Sequence, residues 1–123
     1  MIAGMERSIL VVDDDPAFRE LVQRILAEAR LKVVAEADSA AAAISAAKAM
    51  KPEAALVDVD LPDRGGIALA QELAALPWRP RVVLTSVDPD AAGPDDVRRS
   101  GALAFFPKAE LANGTLRSLL ASD

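Results

Sequence analysis

The sequence predicts an α/β fold, a doubly wound parallel sheet of five strands with helices on both faces. Three observations predict it. Short apolar runs rich in β-branched residues alternate, over 123 residues, with longer stretches whose apolar positions recur at helical spacing. Each run stops abruptly at polar or turn-forming residues. Strand–helix units repeated in a row are the pattern of a parallel sheet covered on both sides.

The first run, Ile9-Leu10-Val11-Val12, halts at Asp13-Asp14-Asp15-Pro16. Phe18, Leu21, Val22, Ile25, Leu26 and Ala29 then mark one face of a helix. Asp15 or Pro16 starts it, since an acidic cap satisfies free amides and proline suits the first turn. Lys32-Val33-Val34-Ala35 is the second strand, and an alanine-rich helix spans about residues 39–50. Ala54-Ala55-Leu56-Val57 is the third strand, ending at Asp58. The turn Leu61-Pro62-Asp63-Arg64-Gly65-Gly66 leads to a helix marked by Leu69, Ala70 and Leu73. Val82-Val83-Leu84 is the fourth strand, ending at Thr85, and Leu103-Ala104-Phe105-Phe106 the fifth, before a short helix through Leu116, Leu119 and Leu120. Between these two strands, Pro89, Gly93 and Pro94 leave room for only a short helix, starting near Pro94 behind a mobile loop and anchored by Val97.

Composition narrows the function. At 52% apolar, residues 1–123 suffice for one domain, with a core from about 8 to 121. With neither cysteine nor histidine, thiolate and imidazole ligands are excluded, so any metal sits on oxygen. The net charge of -5 argues against direct binding of nucleic acid. No stretch is long enough for a membrane span and the N-terminus has no secretory core, so the expected location is the cytoplasm.

The chemistry lies at the strand ends: Asp13-Asp14, Asp58, Thr85-Ser86, and Lys108 after Pro107. In an open parallel sheet ligands bind at the carboxyl ends of strands, and a flavodoxin-like order 2-1-3-4-5 places Asp14 beside Asp58 at the switch point. Clustered carboxylates repel unless a cation is supplied, and magnesium prefers oxygen ligands shared with phosphate. A lysine and a hydroxyl then suit phosphoryl transfer, where charge on the equatorial oxygens must be neutralised. Singly, each residue has a plainer reading: the aspartate run as a solvated cap, Thr85 as a strand residue, Lys108 as a surface charge, Phe105 as core. Their joint order favours a site.

This combination resembles the receiver domains of two-component response regulators. The resemblance covers the chain from Ile9-Leu10-Val11-Val12-Asp13-Asp14-Asp15-Pro16, through Leu56-Val57-Asp58-Val59-Asp60-Leu61-Pro62 and Val83-Leu84-Thr85-Ser86, to Ser100-Gly101-Ala102 and Phe105-Phe106-Pro107-Lys108. It implies that Asp58 is the phosphoacceptor, that Asp14 binds Mg2+ directly and Asp13 through water, and that Asp60 supplies a backbone carbonyl. Thr85 and Lys108 match the phosphate-sensing hydroxyl and lysine, Phe105 the aromatic switch, and Ser86 the small residue leaving access for phosphate. The implied donor is a histidine kinase or a phosphotransfer protein. The output is an unknown partner protein or an effector domain beyond this chain, and a phosphorylation-dependent dimer is allowed. A stand-alone receiver is the favoured arrangement. Ala109 stands where most of the family has a cis proline, a version that resembles receivers of LuxR-type regulators; a cis Lys108–Ala109 bond would cost ~3 kcal/mol. Two alternatives remain. Asp58-Val59-Asp60 also fits a haloacid-dehalogenase-like phosphatase, though on the third strand and without a cap, and a receiver-like interaction module would work without phosphate.

Overall fold

The computed structural model describes residues 7–29 and 31–113. Five strands alternate with four α-helices: β1 (Arg7–Val12), α1 (Pro16–Ala27), β2 (Leu31–Ala37), α2 (Ala40–Met50), β3 (Ala54–Asp58), α3 (Gly66–Ala74), β4 (Arg81–Ser86), α4 (Pro94–Ser100) and β5 (Ala104–Pro107), followed by a 3-10 helix, Lys108–Asn113. The sheet order is β2-β1-β3-β4-β5, with every pair parallel. This is the flavodoxin-like doubly wound fold. The expected helix through Leu116, Leu119 and Leu120 lies outside the described residues.

Local chemistry accounts for the element boundaries. Asp15 Oδ1 accepts from the Ala17 amide and Pro16 opens α1, so both start signals operate. Ser39 Oγ accepts from the Ala42 amide at the head of α2. Asp63, from the loop after β3, accepts from the Ala40 and Ala41 amides at 2.8 and 3.0 Å. Between them, Ser39 and Asp63 satisfy three amides that the first turn of a helix leaves free. Gly66, expected in the turn, is the first residue of α3. It is packed so tightly that a Cβ there would lie 2.1 Å from the Asp58 carbonyl oxygen, so this close approach admits only glycine. The helix α4 starts at Pro94 as expected; Val97 is half-buried, and the buried positions of this segment are Ala92, ahead of the helix, and Ser100 at its end. It stops at Gly101, whose φ of 76° is the left-handed conformation that glycine takes without strain.

The strands divide two layers of core. Leu10, Val12, Ala55, Val57, Val82 and Leu84 face α2 and α3. Ile9, Val11, Leu56 and Val83 face Phe18, Val22 and Leu26 of α1 and Leu111 of the 3-10 helix. Leu21, read as a core-facing position, is 49% exposed, because it lies outside the stripe of Phe18, Val22 and Leu26. Among the described residues no helix is long and apolar enough to cross a membrane.

Candidate functional site

β1 and β3 are neighbours with Val12 opposite Val57, and β3 and β4 with Asp58 opposite Thr85, so this register brings the ends of the three central strands together. Asp13, Asp58, Thr85 and Ser86 are all buried there, and Asp14 and Asp60 are exposed. Buried polar groups need partners, and the partners define the site.

Asp13 is held from three directions. Its amide donates to Ala37 of β2 at 2.9 Å, its Oδ1 accepts from the Asp15 amide at 2.9 Å, and its carbonyl accepts from the Arg19 guanidinium at 2.6 Å. Arg19 also donates to Glu36 at 2.8 Å, so a residue of α1 ties the end of β1 to β2. Asp13 Oδ2 is buried and has no aligned hydrogen bond among the described residues; its neighbour is the Lys108 ammonium at 2.7 Å. Asp58 Oδ1 accepts from the Asp60 amide at 2.9 Å, and its Oδ2 lies 3.4 Å from Lys108 Nζ. Lys108 thus bridges two buried carboxylates. It also stands 4.1 Å from the centre of the Phe18 ring.

The electrostatics follow from this crowding. Burial is the main cause that pushes the Asp58 carboxyl up to about 6, and the charge of Asp13 adds to it, against the Asp60 amide and Lys108. Burial would lower Lys108, yet ion pairing with Asp13 and then Asp58 outweighs it and holds the ammonium above the usual lysine value. One carboxylate oxygen from each of Asp13, Asp14 and Asp58 falls within 4.8 Å of the others. An all-oxygen set that includes a buried, unaligned carboxylate atom fits magnesium, a hard cation that takes carboxylates and retains waters.

The other expected residues are close by. Thr85 Oγ1 donates to the Phe106 carbonyl at 2.7 Å, so its hydroxyl is committed to β5 and not to Asp58. Ser86 Oγ donates to Asp60 Oδ2 at 2.9 Å and accepts from the Asp88 amide at 3.1 Å. Phe105 is half-buried against the α2 and α3 side of the sheet. There is no cis peptide bond among the described residues, Lys108–Ala109 included. Sequence reasoning missed Arg19, Asp63 and the placement of Phe18 beneath Lys108. Only Phe18 left a signal, as a helical-face position whose contact with Lys108, just past the fifth strand, no periodicity reports.

The response regulator receiver domain model matches residues 9–120. The chain belongs to that family. A protein-glutamate methylesterase/protein-glutamine glutaminase of Vibrio parahaemolyticus is 36% identical over 106 residues, which are 85% of this chain and 29% of that protein. The receiver therefore corresponds to less than a third of that relative, whose named activities are its own. Among solved structures, the signal receiver domain of NarL from Mycobacterium tuberculosis is 31% identical with a TM-score of 0.76, covering 95% of this chain and 98% of that one. A LuxR-family two-component response regulator from Aurantimonas sp. is 25% identical with a TM-score of 0.79, covering 94% and 86%. The receiver is thus a phosphoacceptor-type signalling domain of the two-component class, and the LuxR-like character read from Lys108-Ala109 agrees with these neighbours.

Proposed function

We propose that this receiver takes a phosphoryl group onto Asp58 from a histidine kinase or a phosphotransfer protein. The carrying observation is a buried carboxylate at the end of a central strand, flanked by Asp13 and Asp14 and 3.4 Å from a lysine. An Asp58 oxygen forms the bond to phosphorus as the donor's phosphorus–nitrogen bond breaks, leaving an acyl phosphate and a free imidazole. The carboxylates of Asp13, Asp14 and Asp58, with the backbone carbonyl of Asp60, would hold Mg2+, Asp13 through water. When bound, the ion neutralises charge on the transferring group and favours the anionic, nucleophilic form of Asp58. Lys108 binds the phosphoryl oxygens. Thr85 joins it by turning its hydroxyl away from the Phe106 carbonyl, and Ser86 keeps the approach open by its small size.

Residues 1–123 act on this reading as one receiver domain in the cytoplasm, without contacting nucleic acid. The output is a partner protein or an effector domain, and a phosphorylation-dependent dimer is one form it can take. Turning Thr85 breaks its bond to β5 and opens space for Phe105, which shifts the segment 87–99. Gly93 and two prolines give that segment few helical hydrogen bonds, so a small bias moves it.

Incubation with acetyl phosphate and magnesium should add one labile phosphate, and Asp58→Asn should gain none. Equal labelling of the variant would sink the assignment, and steady turnover of the donor would favour the phosphatase reading. With beryllofluoride, changes in hydrogen exchange should concentrate in residues 87–99 and 105–109; a largest change in α1 would overturn the switch.

A further inference from the structure

Lysine carries its charge on four methylenes and loses much rotamer freedom when held in one place. Lys108 reaches from the end of β5 to carboxylates just past β1 and at the end of β3, across the width of β4. Among the described residues its ammonium meets Asp13 Oδ2 at 2.7 Å, Asp58 Oδ2 at 3.4 Å and the Phe18 ring centre at 4.1 Å. We propose that Phe18 is a positioning residue, a seat that keeps the Lys108 ammonium aimed at Asp58 while its two anionic partners change. The inference rests on the phosphoacceptor reading above.

Both carboxylates are partners that the chemistry alters. A divalent cation competes with Lys108 for Asp13, and a phosphoryl group on Asp58 replaces the carboxylate that faces the lysine. The ring is altered by neither, since it carries no charge and ligates no hard metal. Its attraction for a cation persists through both events, and it strengthens where water is excluded. Here the Lys108 side chain is 14% exposed and Phe18 is 8% exposed.

The seat is also fixed relative to the acidic pair. Phe18 lies in the first turn of α1, which Asp15 caps directly after Asp13 and Asp14. The next residue, Arg19, fastens the same turn to the Asp13 carbonyl and to Glu36. Val22 and Leu26 bury the rest of that face against Ile9, Val11 and Leu56. Leucine at position 18 would fill much of the same volume and satisfy the core, but would offer the ammonium nothing.

The test is a mutant cycle with Phe18→Leu, Phe18→Tyr and Lys108→Ala, reading the initial rate of labelling by acetyl phosphate at saturating magnesium, each variant checked by its thermal melt. Phe18→Leu should slow labelling on the order of tenfold in the Lys108 background. It should change little in Lys108→Ala, and Phe18→Tyr, which keeps the ring, should restore the rate. Equal slowing by Phe18→Leu in both backgrounds would overturn the positioning role and leave the phosphoacceptor reading standing. A wild-type chain that gains no phosphate would instead overturn that reading. A further readout is independent of labelling. The Lys108 ε-methylene protons should resonate upfield in the wild type and in Phe18→Tyr but not in Phe18→Leu, and unshifted wild-type protons would overturn the seat by themselves.

Discussion

The two ends of the sheet solve opposite problems. At the carboxyl end, Asp13 and Asp58 are buried beside one another, and burial holds Asp58 at about 6, so this end keeps charge where charge is costly. At the amino end, polar groups meet neutral or solvent-facing partners. The Glu53 amide donates to the Ser8 carbonyl at 2.9 Å, the Ser8 amide to Glu53 Oε1 at 3.2 Å, and the Arg81 amide to the Glu53 carbonyl at 2.9 Å. Trp78 Nε1 adds a bond to the Pro52 carbonyl at 2.8 Å, and even the buried Ser100 hydroxyl is matched, donating to Val97 and accepting from Ala102. One end is fastened and the other is poised. A βα architecture allows this division because its strands run the same way, so all their carboxyl ends share one edge.

The sharpest way to erase the difference is to supply the cation. A ligand that binds only the native state stabilises by roughly 2.7 kcal/mol at about a hundred times its Kd. The melting temperature should rise with magnesium, and Asp14→Ala should remove most of the rise. An undiminished response in that variant would place the ion elsewhere.

Removing the buried charge should act in the same direction without metal. Because the folded Asp58 pKa is raised from 3.8 to about 6, the folded state holds the proton more tightly than the unfolded chain. The stability that this group contributes is therefore full below the unfolded value and is lost as pH rises through the folded one. Metal-free Asp58→Asn should be more stable than wild type by on the order of 2 kcal/mol at about pH 7, with the gain vanishing below about pH 4. Urea denaturation at the two pH values measures it, and a gain independent of pH would dismiss buried charge as the cause.

The amino end should respond least. Trp78→Phe deletes the bond to Pro52 and should cost about 1 kcal/mol, leaving the magnesium-induced rise intact. A loss of that rise would mean that the two ends are energetically coupled, contrary to the contrast drawn above.

Much of this was legible in the sequence, for a physical reason. Alternation of strands and helices is local, and so is the acid or hydroxyl that ends a strand; with the order 2-1-3-4-5, these alone bring Asp13, Asp14, Asp58 and Lys108 together. What escaped is set by packing between elements far apart in the chain. Arg19 finds Glu36, Asp63 finds the head of α2, and Phe18 finds Lys108 only once the helices are docked. The direction of the Thr85 hydroxyl escaped too, because either of two acceptors suits a rotor and only the nearness of Phe106 decides.

Asp63 gives the loop after Asp58 a mechanical limit. One carboxylate spans the Ala40 and Ala41 amides, so the loop cannot swing outward without taking two acceptors from the first turn of α2. That loop begins within two residues of the Asp60 amide that holds Asp58. A displacement of the loop is thereby also a change at the head of α2, since the two share those bonds.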